Sequence, residues 1–468
     1  METYDLIVLG AGSAGFAAAI RGAEAGRRVA LVEESTMGGT CVNVGCVPSK
    51  TLIAAARIRE TAVHAPFEGL GVVARDPVWP AVQAQKTALV DELRQAKYAD
   101  VLAAYPSITW VPGHAQLQAS DPVRLAVGQR LLEAPRLIIA TGARAWAPPI
   151  PGLAETPYWT STEALAASEV PANLLVVGGS AVGLELGQMF ARVGSAVTVW
   201  EALDRLVPME DVDSSIAVTE ALRTEGLTIQ TGVRIERVTH DGRTFAVTAQ
   251  VGGRPRTLTV DRVLVATGRR PATAGFGLAE HGVTLDARGA LVVDEYLRTS
   301  VPSIYGAGDV TGQALFVYVA AAQGTAAAAN ALGLGPVRND LTALPHVTFT
   351  DPQVASVGLT EEQAEAAGLS CSCRALPLRY VPRALANRDT RGMIKLVVNA
   401  ATEEVVGVHI VAPEAGEMIQ VGVLAVKYAM TLADLTSLYF PYLTAVEGIK
   451  LAAITFHKDV SKLSCCAG

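Results

Sequence analysis

Six cysteines occur in this chain as three close pairs, and paired thiols are its most reactive side chains. Cys41 and Cys46 enclose Val42-Asn43-Val44-Gly45 and follow a Gly38-Gly39 turn. A cysteine near the start of a helix has its thiol pKa lowered by the dipole, so this pair is expected to supply a reactive thiolate. Two buried apolar cysteines, or a zinc half-site without its remaining ligands, are the plainer readings. A Gly-rich turn earlier in the chain favours redox exchange over both. Cys465 and Cys466 are adjacent, which strains a structural disulfide, and two soft ligands side by side suit a soft cation. Incidental cysteines in a tolerant tail are the bland alternative. Cys371 and Cys373, in Ser-Cys-Ser-Cys, would share one face of a strand, but without further ligands they read as incidental.

The elements that must position these thiols are legible around them. Leu6-Ile7-Val8-Leu9 is a continuous apolar run, as in a parallel strand covered on both faces. Gly10, Gly12 and Gly15 follow, then an Ala-rich helix to Gly26, then Val29-Ala30-Leu31-Val32 ending in Glu33. A Gly-x-Gly-x-x-Gly turn between strand and helix lets a pyrophosphate approach the backbone, and an acid at the end of the next strand holds a ribose. The phrase returns as Leu174-Leu175-Val176-Val177, Gly178, Gly183, and a strand ending in Glu201, each glycine and acid offset by 168 residues. This internal repeat predicts two dinucleotide-binding units. Ser180 replaces the middle glycine of the second turn, which weakens that signal.

Each unit closes on a similar tag, Ala140-Thr141-Gly142 and Ala266-Thr267-Gly268. Pro148, Pro149 and Pro151 mark a linker between them, and Ile304-Tyr305-Gly306-Ala307-Gly308-Asp309 is a further strand ending in glycine and acid. From Val310 to Val337 no residue is charged, yet Gln313, Gln323, Asn330 and many alanines predict a buried helix and not a membrane span. Beyond Pro345, alternating strands and helices read as an α+β domain. The expected fold is α/β, with two Rossmann-like dinucleotide-binding domains plus a C-terminal α+β dimerisation domain.

Composition narrows the possible functions. Half of the 468 residues are hydrophobic, which excludes a disordered chain. A net charge of −7 without a basic cluster argues against nucleic acid or an anionic membrane as a partner. Six cysteines are too few for a disulfide-stapled secreted scaffold, and Met1-Glu2-Thr3-Tyr4-Asp5 lacks a basic signal-peptide start. A cytoplasmic location is expected.

The run Gly38-Gly39-Thr40-Cys41-Val42-Asn43-Val44-Gly45-Cys46-Val47-Pro48-Ser49-Lys50 resembles the signature of the pyridine nucleotide-disulfide oxidoreductases, and the resemblance extends over essentially the whole chain. It implies FAD on the first unit, NADPH or NADH on the second, and a homodimer. It also implies that Cys46 faces the flavin while Cys41 is the exchanging thiol. Lys50 is then expected near the flavin ring, paired with Glu185. Thr40, Thr141, Gly142 and Asp309 would support the flavin, and Arg205 and Arg269 would serve the cofactors. The implied boundaries are 1–147 (FAD), 148–270 (NAD(P)), 271–344 (FAD, second part) and 345–468 (dimerisation, with the Cys-Cys tail).

Disulfide-reducing members carry His-Pro-Thr-x-x-Glu near the end, with the histidine as acid and base. Here Thr444-Ala445-Val446-Glu447 keeps the second half, but Tyr442 stands in the histidine position. A phenol is a poor base at neutral pH. The tail Cys465-Cys466, together with Tyr98 and Tyr442, resembles the mercuric reductases of the family. That implies reduction of Hg(II), delivered as a thiol complex and passed from the tail of one subunit to Cys41 and Cys46 of the other. A dihydrolipoamide dehydrogenase-like dithiol-disulfide reductase, or a flavoprotein that sequesters metal without turnover, are the competing readings. Glu201 would repel a 2′-phosphate, so NADH is expected to be accepted at least as well as NADPH.

Overall fold

The computed structural model describes residues 1–462. Two compact units divide the chain. The first comprises Met1–Thr51, Ala81–Trp146 and Gly268–Asp340; the second comprises Leu52–Pro80, Ala147–Thr267 and the chain from Leu341 onward.

The first unit is built on a five-stranded parallel sheet, in the order Ile304–Gly306, Leu137–Ile139, Leu6–Leu9, Val29–Glu33, Ile108–Pro112. Both faces of its central strand are buried, which explains the uninterrupted apolar run. Leu6 and Val8 pack with Ala18, Ala19, Ala327 and Ala328, whereas Ile7 and Leu9 pack with Leu117, Leu125 and Leu132. The second group lies on a four-stranded sheet, Glu2–Thr3, Arg130–Ala134, Val123–Val127, Ala115–Ser120. The uncharged stretch after Asp309 forms the helix Val317–Ala331, which lies against the helix Ser13–Glu24. A Cβ at Gly324 would overlap the Ala14 carbonyl, so alanine and glycine are what permit the two backbones to meet. Among the described residues no helix is long and apolar enough to cross a membrane.

Residues 147–267 leave this unit and return to it at one place. Ala143–Ala145 pairs antiparallel with Arg269–Pro271. Trp146 N–H donates to Gly268 O at 3.0 Å, and the Arg270 guanidinium lies 4.7 Å over the Trp146 ring.

The second unit holds a parallel sheet, Thr228–Gln230, Ala196–Trp200, Asn173–Val177, Arg262–Val265. An antiparallel three-stranded meander follows, Arg234–His240, Phe245–Val251, Arg254–Val260. Its C-terminal part is an antiparallel five-stranded sheet ordered His346–Thr348, Gln353–Gly358, Val405–Ala412, Met393–Asn399, Cys371–Pro377. The helix Ala415–Lys427 buries Met418 and Ile419 against that sheet.

Candidate active site

The first Gly-rich turn is held by its acid. Ala11 N–H donates to Glu33 Oε2 at 2.7 Å, and Ser35 N–H and Oγ–H donate to Oε1 at 2.8 and 2.7 Å. Gly10 has φ +104°, and a Cβ there would overlap the Ala140 carbonyl. Gly15 brings the helix onto the strand in the same way, its Cβ falling on the Gly10 carbonyl. Gly12 differs from both. Its backbone, φ −77° and ψ −171°, suits any residue, and the nearest atom to an added Cβ is Gly39 Cα at 3.8 Å. The chain itself does not require glycine here, so the open space is a cradle for something outside it. No side chain caps the helix Ser13–Glu24, whose first turn supplies N–H donors and positive dipole beside that cradle. A dinucleotide pyrophosphate fits these residues.

The thiols are docked on this same turn. Gly38 N–H donates to Ala11 O at 3.0 Å, and a Cβ on Gly39 would stand 2.7 Å from Gly12 Cα. Gly39 also has φ +61°, so no side chain fits on Gly39 where it meets the Gly12 backbone. Cys41 then sits in the short helix Gly39–Val44, and Cys46 opens the helix Cys46–Val63. Asn43, which the sequence reading passed over, staples them: its Nδ2 donates to Met37 O at 3.0 Å and Gly39 O at 2.8 Å, and its Oδ1 accepts from Arg94 Nη1 at 3.1 Å. Its place inside the Cys-x-x-x-x-Cys segment was the available signal.

Cys41 and Cys46 are thiols, both half-buried. The Cys41 thiol pKa is raised, not lowered as expected from a helix start. Its hydrogen bond to Cys46 is the main cause, followed by burial and the charge of Cys46, with Lys50 opposing. The helix-start expectation considered one cysteine at a time; a neighbour that shares its proton outweighs the dipole.

Tyr98 is brought to these thiols by a π-helical turn, Gln95–Ala99, a distortion often found at functional positions. Its ring meets Phe16 edge-on at 4.9 Å, and a Cβ on Gly38 would stand 3.3 Å from it. Burial raises its pKa, Ser13 lowers it by a hydrogen bond, and the charges of Cys41 and Cys46 raise it further. Arg269 and Asp309 form a second, half-buried group. Burial lowers the Arg269 pKa and raises that of Asp309, while each opposes the effect on the other; Arg269 also senses Cys46. Arg269 Nη2 donates to Ala143 O. Thr141 Oγ1 donates to Ala272 O at 2.6 Å, and Ala272 N–H returns to Gly142 O at 2.9 Å. Thr40 is exposed, and Lys50 is half-buried in the helix that Cys46 opens.

In the second unit Gly178 has φ +114° and Gly183 closes the helix onto the strand as Gly15 does. Ser180 is exposed, with φ −107° and ψ −173°. Glu201 accepts from Gly179 N–H at 2.5 Å and Leu203 N–H at 2.8 Å. The direction of Arg205, open in the sequence, is set: its Nη2 donates to Pro208 O at 2.9 Å and lies 3.4 Å from Glu362 Oε2. A cavity beside it is lined by Asp204, Ser215, Thr219, Arg223 and Thr231. Glu185 is buried and accepts from Phe349 N–H at 2.9 Å. Tyr442 is 52% exposed, and Glu447 Oε2 is buried without a hydrogen-bond partner among the described residues. Cys465 and Cys466 lie outside the described residues.

Family models agree with this architecture. Residues 4–324 match the pyridine nucleotide-disulphide oxidoreductase model, and residues 344–453 match the dimerisation domain of that family. Among curated proteins, a mercuric reductase from Shigella flexneri is 49% identical over 99% of this chain and 82% of its own length. A mercuric reductase from Streptomyces lividans is 44% identical over 99% of this chain and 98% of its own. Among solved structures, an HOCl-induced flavoprotein disulfide reductase from Escherichia coli has a TM-score of 0.87 at 32% identity, covering 97% of this chain and all of that one. The chain belongs to the pyridine nucleotide-disulphide oxidoreductase family, as a member of its mercuric reductase branch.

Proposed function

We propose that the protein reduces Hg(II) to volatile Hg(0) with NAD(P)H in mercury detoxification; the free ion would give NAD(P)⁺ and a proton, while a bis-thiolate complex whose ligands leave as two thiols takes one proton up. The observation that carries this reading is the Cys41–Cys46 pair, hydrogen-bonded to each other, beside Tyr98 and fixed against the Gly12 cradle. Bound FAD would supply the two-electron relay between the coenzyme hydride and the thiols. Gly10, Gly12, Gly15, Glu33, Thr40, Thr141, Gly142, Lys50, Arg269 and Asp309 are the residues proposed to hold it. Gly178, Gly183, Glu201 and Arg205 are those proposed for the coenzyme. Glu185 is proposed to act with Lys50.

Hg(II) arrives as a bis-thiolate complex and exchanges ligands first onto Cys465 and Cys466, then onto Cys41 and Cys46. At each exchange a cysteine thiol gives its proton to the departing thiolate, so charge and protons balance. The held proton of Cys41 makes this a stepwise transfer, with one sulfur binding before the other. Tyr98 and Tyr442 are proposed to line the metal's path. Soft sulfur ligands select Hg(II) over hard cations, and the neutral metal leaves for want of comparable affinity. Two subunits assemble through the C-terminal domain, and the tail of one serves the other.

A dithiol-disulfide reductase would need a proton acceptor where Tyr442 stands, and the exposed phenol there is a poor one. For the coenzyme, Arg205 is already bonded to Pro208 O and near Glu362, which supports NADH being accepted at least as well as NADPH. The decisive experiment is Hg(II)-dependent oxidation of NAD(P)H in excess thiol while mercury vapour is trapped. Oxidation without vapour would overturn the proposal. Replacing both Cys465 and Cys466 by Ala should slow reduction of Hg(II) held by bulky thiols far more than reduction of an unhindered complex.

A further inference from the structure

Cys371 and Cys373 read as incidental in the sequence, but their placement gives them a role. They lie on the end strand of the C-terminal sheet, Cys371–Pro377, with their sulfurs 4.0 Å apart on one face. Both are half-buried thiols, so the pair stays within reach of a small solute. Their cross-strand partners are Asn399 and Val397, and Lys395 follows on the same face opposite Ala375. Lys395 is committed elsewhere, its Nζ lying 2.7–2.9 Å from Asp211, Asp213 and Glu361.

We propose that Cys371 and Cys373 form a second Hg(II) site, binding the ion linearly between two sulfurs and apart from the redox pair. Bonds of about 2.3 Å, the length thiolates take on zinc, place two sulfurs about 4.6 Å apart across a linear ion. The observed gap needs only a small rotation about each Cα–Cβ bond to reach that. Among the described residues no group of three or more His, Cys, Asp or Glu is placed to hold a metal, so an ion demanding four ligands finds only two here. A soft ion content with two sulfurs is selected by that shortage. Burial first, then the charge of Glu361 and of Cys371, pushes the Cys373 thiol up to about 12. Cys373 is therefore a poor nucleophile at neutral pH, unsuited to disulfide exchange. Mercury displaces both protons: a bis-thiolate complex plus two cysteine thiols gives the bound ion plus two free thiols. No electron moves, and the product carries no net charge, which suits a half-buried position. The choice of Hg(II) rests on the function proposed above; the two-sulfur geometry does not.

The test counts retained metal and needs no turnover. In the flavin-loaded protein, Cys41, Cys46, Cys465 and Cys466 are all replaced by Ser, and flavin absorbance reports that the chain is folded. After loading with mercuric chloride and gel filtration in excess glutathione, this variant is expected to retain one Hg(II) per chain. Adding Cys371→Ser and Cys373→Ser should reduce that to none, and zinc chloride should give no retention in either. Absence of mercury in the first variant, equal mercury in both, or equal retention of zinc would each overturn the site. In the otherwise native enzyme, the Cys371→Ser, Cys373→Ser pair should leave kcat/KM for Hg(II) reduction unchanged; a large fall would overturn its separation from the redox centre. Retained mercury alongside a failed vapour assay would keep this site and sink the proposed function.

Discussion

The two Gly-rich turns are copies of one design put to different uses. In both, the acid at the end of the following strand accepts a backbone N–H from the turn and another from the residue two positions after itself. In both, the first glycine is left-handed and an added Cβ would meet a carbonyl from the closing tag, Ala140 or Ala266. They diverge at the middle position. Gly12 leaves an open cradle and meets Gly39 of the thiol segment, whereas Ser180 is exposed and the segment docked on the second turn, through Val207 N–H to Gly179 O at 2.8 Å, carries no thiol. The shared features are what the fold demands. On the proposal above, the differing ones mark what is bound: a permanently held flavin with thiols beside it on one turn, and an exchanging coenzyme on the other.

The largest expected effect tests the thiols that only the first turn carries. Cys41→Ala or Cys46→Ala should cut Hg(II) turnover at least about a thousandfold while flavin absorbance and NAD(P)H binding stay intact. Loss of flavin instead would mean that the thiols hold the fold. Next, the two middle positions can be changed. Gly12→Val should leave the apoprotein's melting temperature nearly unchanged, since the chain has room for it, but weaken flavin binding about a hundredfold or more, roughly 2.7 kcal/mol. Ser180→Gly should alter coenzyme KM by only a few-fold. Flavin retained by Gly12→Val would end the distinction drawn between the turns.

A smaller effect separates Glu201 from Arg205. Glu201→Ala removes an acceptor from two backbone donors and should cost about 1–3 kcal/mol of stability as well as raising coenzyme KM. Arg205→Ala should change the NADPH to NADH ratio of kcat/KM by less than about threefold, because its guanidinium is already engaged. A strong NADPH preference that disappears in this variant would assign the 2′-phosphate to Arg205. The smallest concerns pH. The Cys41 thiol is held protonated chiefly by its bond to Cys46, so Cys46→Ala should bring its pKa down towards the ordinary value of about 8.5. Alkylation of Cys41 by iodoacetamide should then accelerate at lower pH than in the native reduced pair; an unchanged pH profile would point to burial as the cause.

What the sequence made legible was everything fixed by local pattern. The continuous run Leu6–Leu9 announced a strand buried on both faces, and the 168-residue offset announced a second copy, because strand, turn and acid must keep their spacing to close on one another. Val310–Val337 betrayed a buried helix because only small residues let it touch Ala14. What stayed hidden depends on residues far apart in sequence. Nothing in Gly39 alone says that its neighbour is Gly12, and nothing near Lys97 says that the helix widens to turn Tyr98 towards two thiols. The raised pKa of Cys41 is a property of a pair. The four sulfur, phenol and carboxylate roles at the C-terminal end rest on family likeness, since Cys465 and Cys466 lie outside the described residues and Glu447 Oε2 meets no partner among those described.

The antiparallel ribbon of Ala143–Ala145 with Arg269–Pro271 has a consequence for how such a chain can change. Residues 147–267 leave and re-enter the flavin unit at a single hydrogen-bonded crossing, with Trp146 clamped under Arg270. An insertion whose two ends already meet adds little loop-closure entropy to its host. The segment, proposed above to bind the coenzyme, is thus a cartridge: it can be lengthened, shortened or exchanged for one with another nucleotide preference without asking the five-stranded sheet of its host to re-form. Such an exchange meets resistance where the segment is bonded to the chain beyond Pro345, as at Asp211 and Asp213 against Lys395 and at Glu185 against Phe349 N–H.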